Sequence, residues 1–327
     1  MDKVKVAFIG AGALANQAHY PSVAGFEDVQ IVGLCDLDEK RRAQTAERFG
    51  IADTFSDYRH MLDQTRPDAV YALMPPHHVF DVAMEVLVRK HALFIEKPPG
   101  VSTVQAEALG RMAQDQGVIT AVGFQRRYHP MLRECFQRVC AKGAIHQVVA
   151  NIYKNDPPQQ VHPYYRGTID ILHCDAIHAV DGLRYYAGLS DVKAVSSEVR
   201  TLDCWYPVAF NALVEFDNGA VGVLLANWRS GRRFFKFEFH GFGAAAFADL
   251  DGEGTVWADN AEEPALRTTH AQFAGSDEWH VNQGFCAEGR AFIDAAKSGT
   301  QLHNNFQDAA KSMALVDMIY ENAINRR

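Results

Sequence analysis

A lysine two residues after a short apolar segment has a side chain that could take part in catalysis. Residues 93–95 (Leu-Phe-Ile) predict a short buried strand, and the proline pair 98–99 ends it because proline cannot donate to a sheet ladder. Glu96 and Lys97 are thereby left at the carboxyl end of a strand, which in an open α/β sheet is the edge where ligands bind. A lysine in such a crevice can meet an anion or a polarised oxygen, whereas the alternative is a surface Glu-Lys pair before a proline turn.

A second group of polar residues interrupts an apolar helical pattern further along the chain. The apolar pattern predicts a helix over residues 169–186, with Cys174, Asp175, His178 and Asp181 on one side of it, opposite an apolar stripe. In a cleft, a histidine oriented by a neighbouring carboxylate can act as a general base. The alternative is a solvated helix face with an ordinary His-Asp contact one turn apart.

A metal site is a third interpretation of the same helix. Cys174 and His178 stand four residues apart, which is a spacing that metal ligands use on a helix. No second pair of this kind occurs in the sequence, so we expect no metal. His173 lies well round the helix from this group and is expected to be a packing residue.

A glycine-rich turn follows the N-terminal strand. Residues 4–9 become fully apolar, as a strand entering a buried parallel sheet should, and the next six residues read G-x-G-x-x-A. In such a turn the first glycine permits the tight bend, the second lets the backbone approach a pyrophosphate, and the small last residue lets the helix pack closely. The amides at the helix start then face the phosphates. The predicted cofactor contacts here are Gly10, Gly12, Ala13, Leu14 and Ala15.

An aspartate at the end of the second predicted strand strengthens this interpretation. Asp36 follows the strand Val29 to Cys35 and lies 21 residues after Ala15, where a carboxylate accepts hydrogen bonds from a ribose 2′-hydroxyl and repels a 2′-phosphate. Asp36 can also cap the next helix. The sequence therefore favours NAD, while Arg41 and Arg42 keep NADP possible.

The rest of the first half alternates between strand and helix patterns. This alternation predicts a doubly wound parallel sheet. The predicted helices cover residues 40–49, 79–88 and 105–116, and the predicted strands cover residues 69–74, 93–95 and 118–122. Pro75-Pro76 and Pro98-Pro99 then place two rigid turns at the sheet edge that carries the glycine loop.

The pattern changes after Pro130, where strands begin to follow one another through turns. A helix (131–140) precedes these strands, and such a succession predicts an antiparallel sheet. The predicted strands cover residues 146–153, 193–199, 210–216, 221–228, 234–239 and 255–258, and helices return at 284–297 and 307–324. A long proline-rich loop, 155–166, lies before the helix of His178 and offers Tyr165 and Arg166 as substrate contacts, the alternative being ordinary surface aromatics.

The composition is that of an ordinary globular enzyme. The 327 residues are long enough for two domains, and 48% of them are hydrophobic and 22% charged. A net charge of −8 argues against a nucleic-acid partner or a membrane surface bound by charge. The six cysteines form no C-x-x-C pair, and no apolar run resembles a signal or a membrane span, so we expect a cytoplasmic protein.

Together these motifs resemble the Gfo/Idh/MocA family of nicotinamide-dependent sugar and polyol oxidoreductases. The resemblance covers essentially the whole chain. The matching residues are Gly10-Ala11-Gly12 with Ala15, His19 and Pro21, then Cys35-Asp36, Met74-Pro75-Pro76, Glu96-Lys97-Pro98, the segment 123–130, and His178-Ala179-Val180-Asp181.

This resemblance implies an α/β fold of two domains. Residues 1–124 would form a Rossmann domain, and residues 125–327 an α/β domain with a large open, mostly antiparallel sheet for substrate binding and oligomerisation. A lysine and a histidine, often with an aspartate, would be catalytic and face each other across an inter-domain cleft; here they are Lys97, His178 and Asp175. Further cofactor contacts would be Met74, Pro75, Pro76, His78, Glu96, Lys97 and Gln125. Substrate contacts would be Lys97, Arg127, Tyr165, Arg166, Asp175 and His178.

The chain departs from the family pattern at two positions. Val79 stands where the family usually has a histidine after the Pro-Pro turn, with His77 and His78 just before it. Cys174 stands where the family commonly has an aspartate, four residues before the histidine; the nearest carboxylate is Asp175. Whether Asp175 or Asp181 orients His178 is therefore open.

The function these residues indicate is a dehydrogenase. His178 would take the proton of a secondary alcohol of a sugar, polyol or related metabolite, and Lys97 would stabilise the developing alkoxide during hydride transfer to NAD(P). The partners would be a small-molecule substrate and further copies of the chain, as a homodimer or homotetramer through the C-terminal sheet. The alternatives are a glycosidase that oxidises, eliminates and re-reduces with bound NAD, and a dinucleotide sensor without turnover.

Overall fold

The computed structural model describes residues 3–156 and 168–324, and these form two compact units. The first unit comprises Met1–Gln125 and Glu278–Ala310, and the second comprises Arg126–Asp277 and Lys311–Arg327. The chain thus passes from the first unit to the second near the predicted boundary, and later returns to the first. The assignment of cofactor and substrate binding to residues 1–124 and 125–327 stays a prediction.

The first unit is built on a six-stranded sheet. Its strands are β1 (Val4–Ile9), β2 (Val29–Cys35), β3 (Thr54–Phe55), β4 (Ala69–Ala72), β5 (Ala92–Ile95) and β6 (Thr120–Val122). Their spatial order is β3-β2-β1-β4-β5-β6, and every pair is parallel. The predicted doubly wound parallel sheet is confirmed, and the strand order reverses between β1 and β4, where ligands bind in such sheets.

Helices connect these strands. A π-helical turn, Ala15–His19, leads into α1 (Tyr20–Ala24), and the later connections are α2 (Glu39–Phe49), α3 (Tyr58–Thr65), α4 (Pro76–Val88) and α5 (Thr103–Gln116). The short β3 and the helix α3 were not predicted. The two residues of β3 are too few to show periodicity. Helix α3 did have a signal that was not used, since Asp57 caps it and Met61 and Leu62 are its buried residues.

The second unit carries an eight-stranded mixed sheet. Its strands are β7 (Ile145–Asn155), β8 (Val192–Arg200), β9 (Ala209–Phe216), β10 (Val221–Asn227), β11 (Arg229–Gly241), β12 (Ala244–Asp249), β13 (Glu253–Ala258) and β14 (Leu266–Thr269). The order is β14-β13-β12-β11-β7-β10-β9-β8. Only the pair of β7 and β10 is parallel, so the predicted large, mostly antiparallel sheet is confirmed, with β12 and β14 added.

Two helices of the second unit, α6 (Pro130–Cys140) and α8 (Ile177–Tyr186), pack on one face of this sheet. The other helices in the second half of the chain are α7 (Ile171–Cys174), α9 (His270–Ala274), α10 (Trp279–Asn282), α11 (Phe285–Ser298) and α12 (Phe306–Glu321), and α10 and α11 belong to the first unit. Helices α6 and α8 contact β12 and β7, and residues on the covered face, such as Leu224 and Phe237, are fully buried. On the opposite face Leu213 and Phe247 remain 46% and 42% exposed in the single chain.

The helix predicted over residues 169–186 is two helices. Asp170 caps α7, its side chain accepting a hydrogen bond from the His173 amide, and α7 ends after one turn. Asp175 and Ala176 separate it from α8. The prediction of one continuous helix was therefore wrong. The helix that Asp170 caps ends after one turn, and a second helix begins at Ile177. The expected grouping of Cys174, Asp175, His178 and Asp181 on one side of a single helix is therefore not present.

Candidate active site

The glycine loop after β1 has two glycines with different roles. Gly10 has φ +111°, and a Cβ placed on it would lie 2.1 Å from the carbonyl oxygen of Leu73, so only glycine fits between the ends of β1 and β4. A Cβ on Gly12 would meet nothing within 4 Å. Gly10 is thus required by the fold, and the open space at Gly12 is what close approach of a phosphate needs.

The carboxylate of Asp36 is fixed beside this loop. One oxygen accepts a hydrogen bond from the Ala11 amide at 2.7 Å and the other from the Asp38 amide at 2.8 Å. Arg41 pairs with Asp38 at 3.2 Å and approaches Asp36 at 3.8 Å, and Arg42 donates to the Asp36 carbonyl oxygen at 2.6 Å. The end of β2 therefore presents a held carboxylate, with both nearby arginines engaged by protein oxygens.

The turn after β5 is anchored by a buried hydrogen bond between two side chains. The His19 imidazole, 2% exposed, lies 2.8 Å from the Glu96 carboxylate, whose other oxygen accepts from the Lys97 amide at 3.2 Å. Gly123 is required next to this pair, because a Cβ there would lie 2.8 Å from the Glu96 carboxylate. Glu96 shapes the turn that presents Lys97, and its predicted contact with the cofactor stays a prediction. The sequence named His19 and Glu96 but did not pair them.

The remaining predicted cofactor residues of the first unit lie after β4 and β6. Met74 and Pro75 lead from β4 into α4, which begins at Pro76, and His78 is exposed on its first turn. Gln125 is buried, and its side-chain oxygen has no hydrogen-bond partner among the described residues. A buried acceptor of this kind is costly unless something donates to it, so Gln125 fits a ligand contact.

Asp175 of the second unit is held by a residue that the sequence analysis missed. The Lys154 ammonium, near the end of β7, forms an ion pair with the Asp175 carboxylate. The same ammonium lies 5.4 Å from the centre of the buried Trp228 ring. Both charged side chains are about one-fifth exposed, so the pair is only partly accessible to water.

Arg127 has a different role from the predicted one. Its guanidinium is fully buried and binds the Asp181 carboxylate through two nitrogens, at 2.8 and 2.5 Å. Asp181 also accepts from the Ser312 hydroxyl at 2.8 Å. The structure therefore makes Arg127 part of a buried ion pair rather than an open substrate contact. It also occupies the carboxylate of Asp181, the alternative candidate for orienting His178.

Asp181→Asn is expected to lower the free energy of unfolding by about 3–5 kcal/mol, since removing one partner of a buried ion pair leaves the other charge buried and uncompensated. Denaturant unfolding of the variant and the wild type measures this. Asp259→Asn is the matched control, because it breaks the exposed Lys142–Asp259 pair of the same unit and is expected to change stability little. Equal losses in the two variants would contradict a structural role for the buried pair.

His173 is buried and packs, as the sequence predicted, but its neighbours are polar as well as aromatic. Its ring lies between two carboxylates, Asp170 at 2.5 Å and Asp317 at 3.0 Å, and stacks on Tyr320. Burial lowers the pKa of His173, but hydrogen bonds to Asp170 and Asp317 outweigh it and raise the pKa above the usual value. This cluster ties α7 to α12 within the second unit.

His178, in the first turn of α8, is buried at 7% exposure. Cys174, which stands where the family commonly has aspartate, is also buried. Tyr165 and Arg166 lie outside the described residues. No helix among the described residues is long and apolar enough to cross a membrane.

The parallel sheet, the glycine loop and the fixed Asp36 define a dinucleotide-binding domain of Rossmann type. Residues 4–124 match the model of the Gfo/Idh/MocA family, described as an oxidoreductase family with an NAD-binding Rossmann fold. The resemblance drawn from the motifs is thereby confirmed, and the chain is an NAD(P)-dependent oxidoreductase.

Two curated relatives align along nearly the whole chain. Scyllo-inositol 2-dehydrogenase (NAD(+)) of Bacillus subtilis is 23% identical over 312 residues, covering 91% of this chain and 87% of the relative. D-xylose 1-dehydrogenase (NADP(+)) 2 of Haloferax volcanii is 21% identical over 323 residues, covering 96% of each chain. In fold, the chain is similar to the crystal structure of a dehydrogenase from Chromobacterium violaceum, with a TM-score of 0.87, 20% identity, and coverage of 99% and 96%.

Proposed function

We propose that this protein oxidises a secondary alcohol of a sugar, polyol or related metabolite, or reduces the corresponding ketone, with NAD(P). The observation that carries the proposal is the placement of the glycine loop, Asp36 and Lys97 at the carboxyl ends of β1, β2 and β5. In a parallel sheet these ends share one edge. The names of the inositol and xylose relatives support this substrate class.

The proposed cofactor site uses the first unit. Gly12, Ala13, Leu14 and Ala15 would contact the pyrophosphate and Asp36 the adenosine ribose, while Met74, Pro75, Pro76, His78 and Gln125 would border the nicotinamide half. Ala13 and Leu14 are exposed in the first helical turn after the loop, as such a contact requires. A bound nicotinamide supplies the hydride acceptor or donor.

The proposed chemistry uses three side chains. His178 takes the proton from the substrate hydroxyl, and Lys97 stabilises the negative charge that develops on that oxygen. Asp175 orients the imidazole, in place of the aspartate that the family has one residue earlier. Tyr165 and Arg166 are proposed substrate contacts; Arg127 is left out of this set because Asp181 engages its guanidinium.

A ligand panel tests the proposed function. NAD, NADP, sugars, polyols and their acids are added singly and in pairs, and a ligand that binds the native state raises the melting temperature. Active pairs are then assayed by the change in NAD(P)H absorbance. Net formation or consumption of NAD(P)H supports a dehydrogenase. Turnover of a glycoside without any net change would instead support the glycosidase route, and cofactor binding without turnover would support a sensor.

NAD is expected to bind more tightly than NADP, because the fixed Asp36 carboxylate opposes a 2′-phosphate. Asp36→Asn is expected to shrink this preference at least about tenfold, since removing a like charge at contact distance is worth more than 1.4 kcal/mol. Titrations with NADH and NADPH measure the affinities. Asp28→Asn is the matched control, since Asp28 precedes β2 and so stands at the opposite end of the same strand. Tighter binding of NADPH by the wild type would contradict the prediction.

We also propose that the chain forms a homodimer or homotetramer through the partly exposed face of the eight-stranded sheet. Leu213 and Phe247 on that face are apolar and nearly half exposed in the single chain, which an oligomer would bury. Light scattering of the wild type and a Leu213→Glu variant tests this. Cytoplasmic location is part of the proposal and rests on the sequence alone.

A further inference from the structure

Lys154 stands at a position where a charged side chain is unexpected. Along β7 the residues Val148, Ala150 and Ile152 point to the helix-covered face of the sheet and are almost fully buried. Lys154 is the next residue in this alternation. A lysine that continues a buried row must reach a partner or water, because an isolated ammonium in an apolar layer is very costly.

The partner that Lys154 reaches is Asp175. The ammonium pairs with this carboxylate and lies 5.4 Å from the centre of the Trp228 ring, which is fully buried. The aromatic face and the carboxylate together leave the ammonium little freedom to move. Asp175 is the C-cap residue of α7, at the break between α7 and α8, and its amide donates to the Ile171 carbonyl oxygen at 2.9 Å.

Arg126 is a second cation whose charge interacts with the same carboxylate. Burial, and to a lesser extent the charge of Arg233, lowers the pKa of Arg126 to about 10, and the negative charges of Asp251 and Asp175 oppose this lowering. Arg233 binds Asp251 at 2.9 Å. Lys154 therefore contacts the Asp175 carboxylate directly, whereas Arg126 acts on it at longer range, so we expect Lys154 to have the larger influence on the position of the carboxylate.

We propose that Lys154 is a positioning residue that holds the Asp175 carboxylate, as the anion, in the place from which it orients His178. This inference rests on the proposed function, in which Asp175 serves His178. Lys154 acts through Asp175 and need not touch the substrate. A rigid support of this kind matters because small displacements of a catalytic group cost up to about a hundredfold in rate.

A double-mutant cycle tests the inference. Lys154→Met, Asp175→Asn and the double variant are compared with the wild type for kcat, KM and cofactor affinity on the best substrate from the ligand panel. Lys154→Met is expected to lower kcat about ten- to a hundredfold in the wild-type background and less than about twofold in the Asp175→Asn background, because residues that act as one unit are not additive. Cofactor affinity is expected to stay unchanged.

Three companion measurements separate positioning from general stability. Lys154→Arg keeps the cation and is expected to restore most of kcat. Loss of the cation is expected to raise the pKa of the low-pH limb of kcat/KM, since a positive neighbour disfavours protonation of the His178 imidazole as well as of the Asp175 carboxylate. Lys142→Met is the matched control, since it removes the lysine of an exposed Lys–Asp pair in the same unit and is expected to leave kcat and the pH profile unchanged. Lys154→Gln replaces Lys154→Met should the latter not fold.

The possible outcomes are distinct. The inference is overturned if Lys154→Met lowers kcat equally in the wild-type and Asp175→Asn backgrounds, or if it leaves kcat and the pH profile unchanged. Either result leaves the dehydrogenase proposal intact. A wild type that shows no NAD(P)H turnover with any member of the panel overturns the proposed function, and the inference fails with it.

Discussion

Lys97→Ala is expected to reduce kcat by at least about a thousandfold while NAD(P) affinity stays close to that of the wild type. Loss of one donor that stabilises transition-state charge typically costs about 10²–10³ in kcat, and here a full positive charge is lost. The phosphates are proposed to bind at the glycine loop, so the cofactor keeps its main contacts. Steady-state kinetics with the best substrate and a titration with NADH measure the two quantities.

Two variants control the Lys97 experiment. Lys5→Ala removes an exposed lysine on β1, near the amino end of that strand and away from the carboxyl edge, and is expected to leave kcat unchanged. Lys97→Arg keeps a positive charge on a longer planar group and is expected to recover only part of the activity. A Lys97→Ala enzyme with full kcat, or one whose defect is entirely a loss of NADH binding, would refute the assigned role.

His178→Ala is expected to lower kcat/KM by about 10²–10⁴-fold, the usual contribution of a positioned general acid or base. His146→Ala is the matched control, since His146 is an exposed histidine on β7 of the same unit. Measurement of kcat/KM across a range of pH should show the limb assigned to the base in the wild type and not in the variant. An unchanged profile in His178→Ala would assign the base to another residue.

Asp175→Asn is also expected to lower kcat/KM. From the sequence, Asp181 was a second candidate for orienting the imidazole and would have softened the loss. In the structure Asp181 is bound by Arg127 and Ser312, so it cannot serve without breaking a buried ion pair. The loss in Asp175→Asn is therefore expected to be a substantial fraction of the loss in His178→Ala.

Whether the role of a residue could be predicted depends on how far along the chain its interaction partners lie. Asp36 and the glycine loop were predicted from spacing within one strand–turn–helix unit, and the structure places them as that unit requires. Arg127 was chosen by residue type alone, and its partner is 54 residues away. No local pattern shows that a distant aspartate will occupy a guanidinium.

The position of Lys154 in β7 is a sequence signal from which its need for a partner could have been predicted. It continues the alternation of Val148, Ala150 and Ile152, and a lysine in a buried register is a residue that needs a partner. The pattern does not identify that partner, because Asp175 is 21 residues further along and lies at a break between helices. Asp175 itself was predicted as catalytic from the family resemblance, as the carboxylate nearest to the position where the family commonly has an aspartate.

By itself the sequence determined the alternating strands and helices of the first unit, the parallel sheet, the glycine loop and the family. Each of these depends on hydrophobic periodicity, turn residues and spacing over a few residues, which are properties of the local chain. Only the tertiary structure decided that His19 supports Glu96, that α7 stops before Asp175, and that Arg127 and Lys154 bind Asp181 and Asp175. Those outcomes depend on which charged groups are brought together and removed from water, and that is settled by the packing of elements distant in sequence.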